Sequence, residues 1–299
     1  PKPLNCCKSE MAPLSVHWNR FQVRMRPMQI TSRQNPHIAR VARLRHRRDR
    51  DRQQQILIDG RREFDRALEA DIEILDVLFC RGHLENAVVD AWSTSSRLRA
   101  CRLYEVTEAV FGKIAYGDRT DGIVAVAARP HVRLDDLSLN ACPLIGIAEG
   151  VEKPGNLGAI VRSADGAGVD ALVAVDAATD VYGPNAIRAS LGTLFHVPIV
   201  ETTPTAARTW LADRRIGVVA ARPDADRAYT DVDLTRPVAI VFGSEADGVS
   251  SAWQGADVMA ARVPMAGCAD SLNVSVTAAL FFYEAVRQRA AAEPARSAP

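Results

Sequence analysis

The stretch EKPGNLGAIVRSADGAG, residues 152–168, lies between two apolar runs, PLIGIAE and ALVAVD. Gly155 and Gly158 bracket Asn156 and Leu157, and a helical apolar pattern carrying Arg162 follows. A glycine turn that opens a helix after a buried strand is a ready anion site. A plain strand-to-helix turn has the same pattern. The nucleotide signatures are missing: there is no G-K-[ST], no G-x-G-x-x-G, and no acidic residue at the required place after it. On these residues alone a strand–helix turn is the stronger reading, which makes the segment one βα unit of a larger sheet.

Further units follow on its carboxyl side. ALVAVD, VPIVE, IGVVAA and PVAIVFG read as strands, and ARVPM (residues 261–265) as a short one. Residues 156–167, GPNAIRASLGTLF (183–195), TAARTWLADR and a long terminal segment, 271–292, read as helices. Strands alternating with helices predict a parallel sheet covered on both faces. A smaller α/β unit precedes it, with QILID, DIEILDVLFC, LYEV and GIVAVAA as strands and RREFDRALEA, LENAVVDAWSTSSRL and TEAVFGKIAY as helices. The expected organisation is a leader at residues 1–28, non-native or disordered, a first domain at 29–128 and a linker at 129–142. A second domain at 143–292 and a disordered tail at 293–299 complete it.

Composition excludes several classes. Of the 299 residues, 47% are apolar and 24% charged, ordinary globular values. No apolar run approaches the roughly 20 residues of a membrane span, and no secretory signal is visible. The six cysteines are irregularly spaced and the six histidines scattered, which argues against zinc, any other metal site or a disulfide framework. Reduced thiols in a cytoplasmic protein are the reading. Net charge is only +1, yet residues 33–52 hold eight arginines against two aspartates. Such density suits phosphate-backbone contacts, including Arg33, Arg43, Arg47 and Arg48, and equally a solvated helix face.

Two later segments bear on chemistry. In VFGSEADGVS (241–250) a strand runs into Gly243, Glu245 and Gly248, where glycines allow close backbone approach to a ligand. In VPMAGCADSLNVSV (263–276) a bent loop places Ser271 and Asn273 on either side of Leu272 before an apolar helix, one polar side chain more than an N-cap needs.

NLGAIVRSA, FGSEADG and VPMAGCADSLNVSV, in that order, resemble the three motifs of the SpoU/TrmH family of RNA 2′-O-ribose methyltransferases, of the knotted SPOUT class. The resemblance runs from about residue 143 to 289. The preceding part looks like the substrate-binding domain of many members, similar to the ribosomal L30e fold, through ITSRQNPHIARVARLRHRR, ILIDGRR and DGIVAVA. The resemblance implies an α/β fold with a C-terminal trefoil-knot domain, S-adenosylmethionine as cofactor and structured RNA, foremost 23S ribosomal RNA, as substrate. It also implies a homodimer formed through the C-terminal domain. It assigns Arg162, Asn156, Glu245, Ser271 and Asn273 to catalysis. Cofactor loops fall near Ala220 and Ala221, at Gly243, and at Val263, Met265, Ser271, Leu272 and Asn273. Arg188 lies where several members carry another active-site arginine, and is expected to bind RNA. Glu152 and Lys153 depart from the usual residues before Pro154, and are expected not to touch the catalytic set. A transfer-RNA methyltransferase and a catalytically silent RNA-binding relative share these motifs and stay open. A guanidinium is a poor base, so positioning and charge stabilisation are the expected roles of Arg162.

Overall fold

The computed structural model describes residues 26–116 and 121–292. The first domain runs β1 (Met28–Ile30), α1 (Pro36–Arg43), α2 (Arg47–Gln53), β2 (Gln55–Asp59), α3 (Arg61–Glu69) and β3 (Ile74–Phe79). It continues with α4 (Asn86–Thr94), β4 (Arg102–Val106), α5 (Glu108–Ile114) and β5 (Ile123–Ala128). Its sheet has the order β1-β4-β3-β5-β2 and is mixed, because β5 runs antiparallel to both β2 and β3. Residue periodicity does not register strand direction, so the sequence left this undetermined. Met28, expected in the leader, begins β1, which pairs with β4. Residues 1–25 of that leader and the tail, 293–299, lie outside the described residues.

The second domain runs β6 (Leu144–Glu149), α6 (Pro154–Gly166), β7 (Ala171–Val175), α7 (Pro184–Ala189), β8 (Ile199–Thr202) and α8 (Pro204–Asp213). It ends with β9 (Gly217–Ala221), β10 (Val238–Phe242), β11 (Val258–Ala261) and α9 (Val274–Ala292). All six strands are parallel, in the order β11-β9-β10-β6-β7-β8. β6, β7 and β10 are buried along their whole length, as a sheet covered on both faces requires. Alternation sorts their side chains. Leu172, Ala174, Ile240 and Phe242 pack toward Phe281 and Phe282 of α9. Ile145, Ile147, Val173 and Val241 pack toward Trp210 and Trp253 on the other side.

Three expected elements differ. β11 precedes ARVPM: it stops at Ala261, short of Pro264, which lacks an amide hydrogen for a sheet ladder. The helix expected through residue 195 ends at Ala189, because Leu191 and Gly192 adopt left-handed backbone (φ 57° and 82°) before a 3₁₀ turn at Thr193–Phe195. α6 begins at Pro154, not Asn156: proline suits the first helical turn, and Gly155 and Gly158 lie inside the helix. Gly158 is there for packing, since a Cβ on it would sit 2.5 Å from Ala189 Cβ and 2.7 Å from the backbone of α7.

The domains share one apolar cluster, reaching from Ile58 and Phe64 to Ile187 and Leu194. Arginines tie the same seam. Arg50 Nε donates to Asp180 at 2.9 Å, Arg66 to Leu191 O at 2.7 Å, and Arg129 to Asp51 at 2.7 Å and Glu201 at 2.6 Å. The segment expected as a linker is packed as well: Leu134, Leu137 and Leu139 lie against the Trp210 side of the sheet.

Candidate active site

Strand order decides where the site falls. β6 and β10 are neighbours, but the chain leaves β6 toward β7 on one side and leaves β10 toward β11 on the other. A crevice opens at the carboxyl ends of two such strands, where open α/β sheets bind ligands. The loop after β6 leads into Lys153 and α6, and the loop after β10 carries Glu245.

Three of the sequence-assigned residues meet there. Asn156 Nδ2 donates to Glu245 Oε1 at 2.6 Å. Asn273 Nδ2 donates to the same oxygen at 3.1 Å and to Asn156 Oδ1 at 3.2 Å. Asn273 is itself fixed, its Oδ1 accepting from Ser275 N at 2.9 Å and Ser275 Oγ at 2.6 Å. Lys153 donates to Glu245 Oε2, which corrects the expectation that this residue stays clear of the catalytic set. Hydrogen bonds from Lys153 first, then Asn156, hold the Glu245 carboxyl below the usual carboxylate range, and Glu245 raises Lys153 in turn.

Beside this cluster lies a cavity of about 620 Å³, within the range of about 300–1,000 Å³ for small-molecule sites. Ala221, Gly243, Val263, Met265, Ser271, Leu272 and Asn273 line it. Ala220 does not: it is fully buried in β9, one residue before the lining begins, because successive strand residues face opposite ways. Phe242, Leu272 and Phe281 supply apolar wall, while Arg222 and Arg262 stand with Glu245, Asp247 and Asp270. A cavity of this size, offering apolar surface and charges of both signs, fits a nucleoside that carries both a cation and a carboxylate. Gly243 shapes it indirectly. A Cβ there would lie 2.0 Å from Gly248 backbone, inside the turn closed by the paired Ser244 and Gly248 amides.

A buried acid, unnoticed in the sequence, anchors this turn. Glu149, the last residue of β6, accepts from Ser250 N at 2.8 Å, Ser250 Oγ at 2.7 Å and Trp253 Nε1 at 2.9 Å. An acid ending an apolar strand was the only signal of it.

Other assigned residues lie apart. Arg162 is exposed on α6 and makes no hydrogen bond or ion pair among the described residues. Six helical positions set it about 9 Å along and about 120° around the axis from Asn156. Arg188 is turned to the domain seam, donating to Tyr116 O and lying 3.4 Å from Asp59, with its side chain still partly exposed. The eight clustered arginines divide. Arg33, Arg43, Arg47 and Arg48 are exposed, whereas Arg50 is buried on Asp180 and Arg40 binds the buried Asp76 at 2.6 Å. Among the described residues no group of acidic, histidine or cysteine side chains could hold a metal, and no helix is long and apolar enough to cross a membrane.

Comparison with known proteins gives consistent matches. The SpoU rRNA Methylase family profile matches residues 143–283 and the MRM3-like substrate binding domain profile residues 35–125. A 23S rRNA (uridine(2479)-2′-O)-methyltransferase from Streptomyces viridochromogenes is 32% identical over 87% of this chain and 92% of its own. A solved RNA 2′-O ribose methyltransferase superposes with a TM-score of 0.75 at 41% identity, covering 88% of this chain and 100% of that one. The SpoU methyltransferase AviRb from Streptomyces viridochromogenes, in complex with the cofactor AdoMet, gives 0.77 at 29% identity, covering 86% and 98%. Fold and site thus define an α/β methyltransferase with a separate substrate-binding domain. The chain belongs to the SpoU rRNA methylase family.

Proposed function

We propose that this chain transfers a methyl group from S-adenosylmethionine to a ribose 2′-hydroxyl of structured RNA, 23S ribosomal RNA foremost. One observation carries the reading: Asn156 from the start of α6, Glu245 from the loop after β10 and Asn273 from the loop before α9 join beside the cavity. When bound, S-adenosylmethionine supplies a methyl on a positively charged sulfur. Ala221, Gly243, Val263, Met265 and Leu272 would hold it, with Ser271 and Asn273 at the rim. The Asn156–Glu245–Asn273 cluster fixes polar groups where the ribose arrives, so orientation is settled before reaction. The free guanidinium of Arg162 grips an adjoining phosphate and stabilises its charge. A 2′-hydroxyl exists only in RNA, so the nucleophile itself selects the substrate.

The trefoil knot belongs to this reading, and so does work in the cytoplasm, where ribosomal RNA would be met. A second copy would cover the exposed Val276 and Tyr283 of α9, forming the homodimer. Arg33, Arg43, Arg47 and Arg48 would grip the RNA backbone from the first domain.

The test is to map 2′-O-methylation in ribosomal and transfer RNA from a strain lacking the gene, with calorimetric titration of S-adenosylmethionine alongside. Loss of one 23S site, restored by wild type and not by Arg162→Ala, is expected. Unchanged methylation or no cofactor binding would refute the reading.

A further inference from the structure

In the sequence, Lys153 departs from the residues that usually precede Pro154 in the family it resembles. In the structure it stands at the contact between the loops after β6 and β10, the two strands that flank the crevice. Glu245 Oε1 has two partners, the amides of Asn156 and Asn273. A carboxylate oxygen offers about two lone-pair sites, so Oε1 is full. Oε2 has Lys153 Nζ as its one hydrogen-bond partner among the described residues. The terminal torsion of a glutamate is broad and sets no preference of its own. The grip on Oε2 therefore acts with the two amide bonds to keep Oε1 facing inward. The chain of contacts runs Ser275, Asn273, Asn156, Glu245, Lys153, and Lys153 is its outer end, with a side chain 67% exposed.

We propose that Lys153 is a positioning residue for methyl transfer, acting through Glu245 to hold the Asn156 and Asn273 amides in register. The proposal rests on the methyltransferase reading. Lys153 does not hold the fold together: an exposed ion pair contributes little to stability, so its removal leaves a folded chain. The other charged groups around Glu245 are Glu152 next to Lys153, Asp247 on its own loop, and Arg222, Arg262 and Asp270 lining the cavity. Arg222 is engaged by Asp224 at 2.7 Å. Lys153 is the one cation paired with Glu245 among the described residues. Removing it lets the Glu245 carboxyl return upward toward its ordinary value.

The experiment compares wild type, Lys153→Met and Lys153→Arg on a 23S ribosomal RNA fragment with S-adenosylmethionine, across pH and salt. Lys153→Met should lower kcat roughly ten- to hundredfold, the cost of loosened geometry. Its RNA KM and salt dependence should stay unchanged, and the acidic limb of kcat should move to higher pH. Lys153→Arg should restore both. Wild-type kcat and limb in Lys153→Met would overturn the proposal. So would a loss confined to RNA KM with a shallower salt slope, which would make Lys153 a phosphate contact. Side-chain amide resonances of Asn156 and Asn273, followed by NMR, must shift in Lys153→Met and not in Lys153→Arg. An inactive wild type would refute the functional reading, and the NMR comparison would then decide the positioning claim alone.

Discussion

Trp253 donates its indole hydrogen to Oε1 of Glu149 at 2.9 Å, in a contact where the tryptophan is fully buried and the carboxylate nearly so. With both Ser250 donors on the same carboxylate, the end of β6 is stapled to the segment that follows Gly248. That segment continues the turn lining the cavity, so a core contact sets the shape of a binding loop.

Glu149→Gln tests this. A carboxylate accepts at both oxygens, whereas an amide must turn its NH₂ toward a donor, either Ser250 N or the pair Ser250 Oγ and Trp253 Nε1. One unsatisfied buried donor costs about 1–3 kcal/mol. The expected outcome is a Tm lowered by about 2–4 °C for each kcal/mol of stability removed, with weaker S-adenosylmethionine binding by calorimetry. An unchanged Tm and affinity would show that the staple does not matter.

The glycines of α6 should behave oppositely. Nothing lies within 4 Å of a Cβ built on Gly155, so Gly155→Ala should stabilise by about 0.5–1 kcal/mol through helix propensity. Gly158→Ala drives a methyl into the backbone between Ala189 and Ser190, and should destabilise by about 1–3 kcal/mol. It would also shift the helix that carries Asn156 and Arg162. Chemical denaturation decides, and equal effects at the two sites would contradict the packing role of Gly158.

That pair marks how far the sequence could be read. Apolar runs such as LIGIAE and VAIVF announce buried parallel strands because both their faces are covered. The start of α6 was obscured because a glycine in a helix and a glycine in a turn look alike until the neighbouring helix is in place. The three motifs located Asn156, Glu245 and Asn273. Lys153 escaped because its relation to Glu245 depends on β6 lying beside β10, and strand order is not written in local periodicity. Arg50 shows the same limit from the other side: among eight arginines, no local feature marks the one buried against Asp180.

Cysteine reactivity gives a further check. Burial, with Asp76 adding to it, pushes the Cys101 thiol up to about 12. At pH 8 only about one molecule in ten thousand would then hold a thiolate there, and the thiolate is the reactive form. Cys268 is exposed on the loop beside the cavity. Iodoacetamide at pH 8 followed by peptide mapping should label Cys268 in the folded protein, and Cys101 only after denaturation. Equal labelling rates in the folded state would be incompatible with this environment.

The arginine-rich segment makes the last prediction, because the structure divides it into two kinds of residue. Arg43 and Arg48 are exposed with no partner among the described residues, and Arg47 is exposed with only a 3.7 Å pairing to Asp51 and a 3.4 Å contact to Ala178 O. Arg50 is buried, bound to Asp180 and to Leu44 O at 2.7 Å. Changing Arg43, Arg47 and Arg48 together to Gln should weaken RNA binding and flatten its dependence on log salt. The slope should fall by about 0.7–0.9 for each phosphate that is no longer neutralised, since every neutralised phosphate releases counterions. Stability should hardly move, because exposed charges contribute little to it. Arg50→Gln should do the reverse: it leaves the buried Asp180 with only its longer 3.9 Å pairing to Arg129, a loss of about 3 kcal/mol, and it removes no exposed charge that could meet RNA. Affinity for a 23S fragment at four salt concentrations, with thermal unfolding of the same variants, separates the two. If the triple variant keeps the wild-type slope and affinity, the segment is a solvated surface, and the RNA grip must be sought on another face of the first domain.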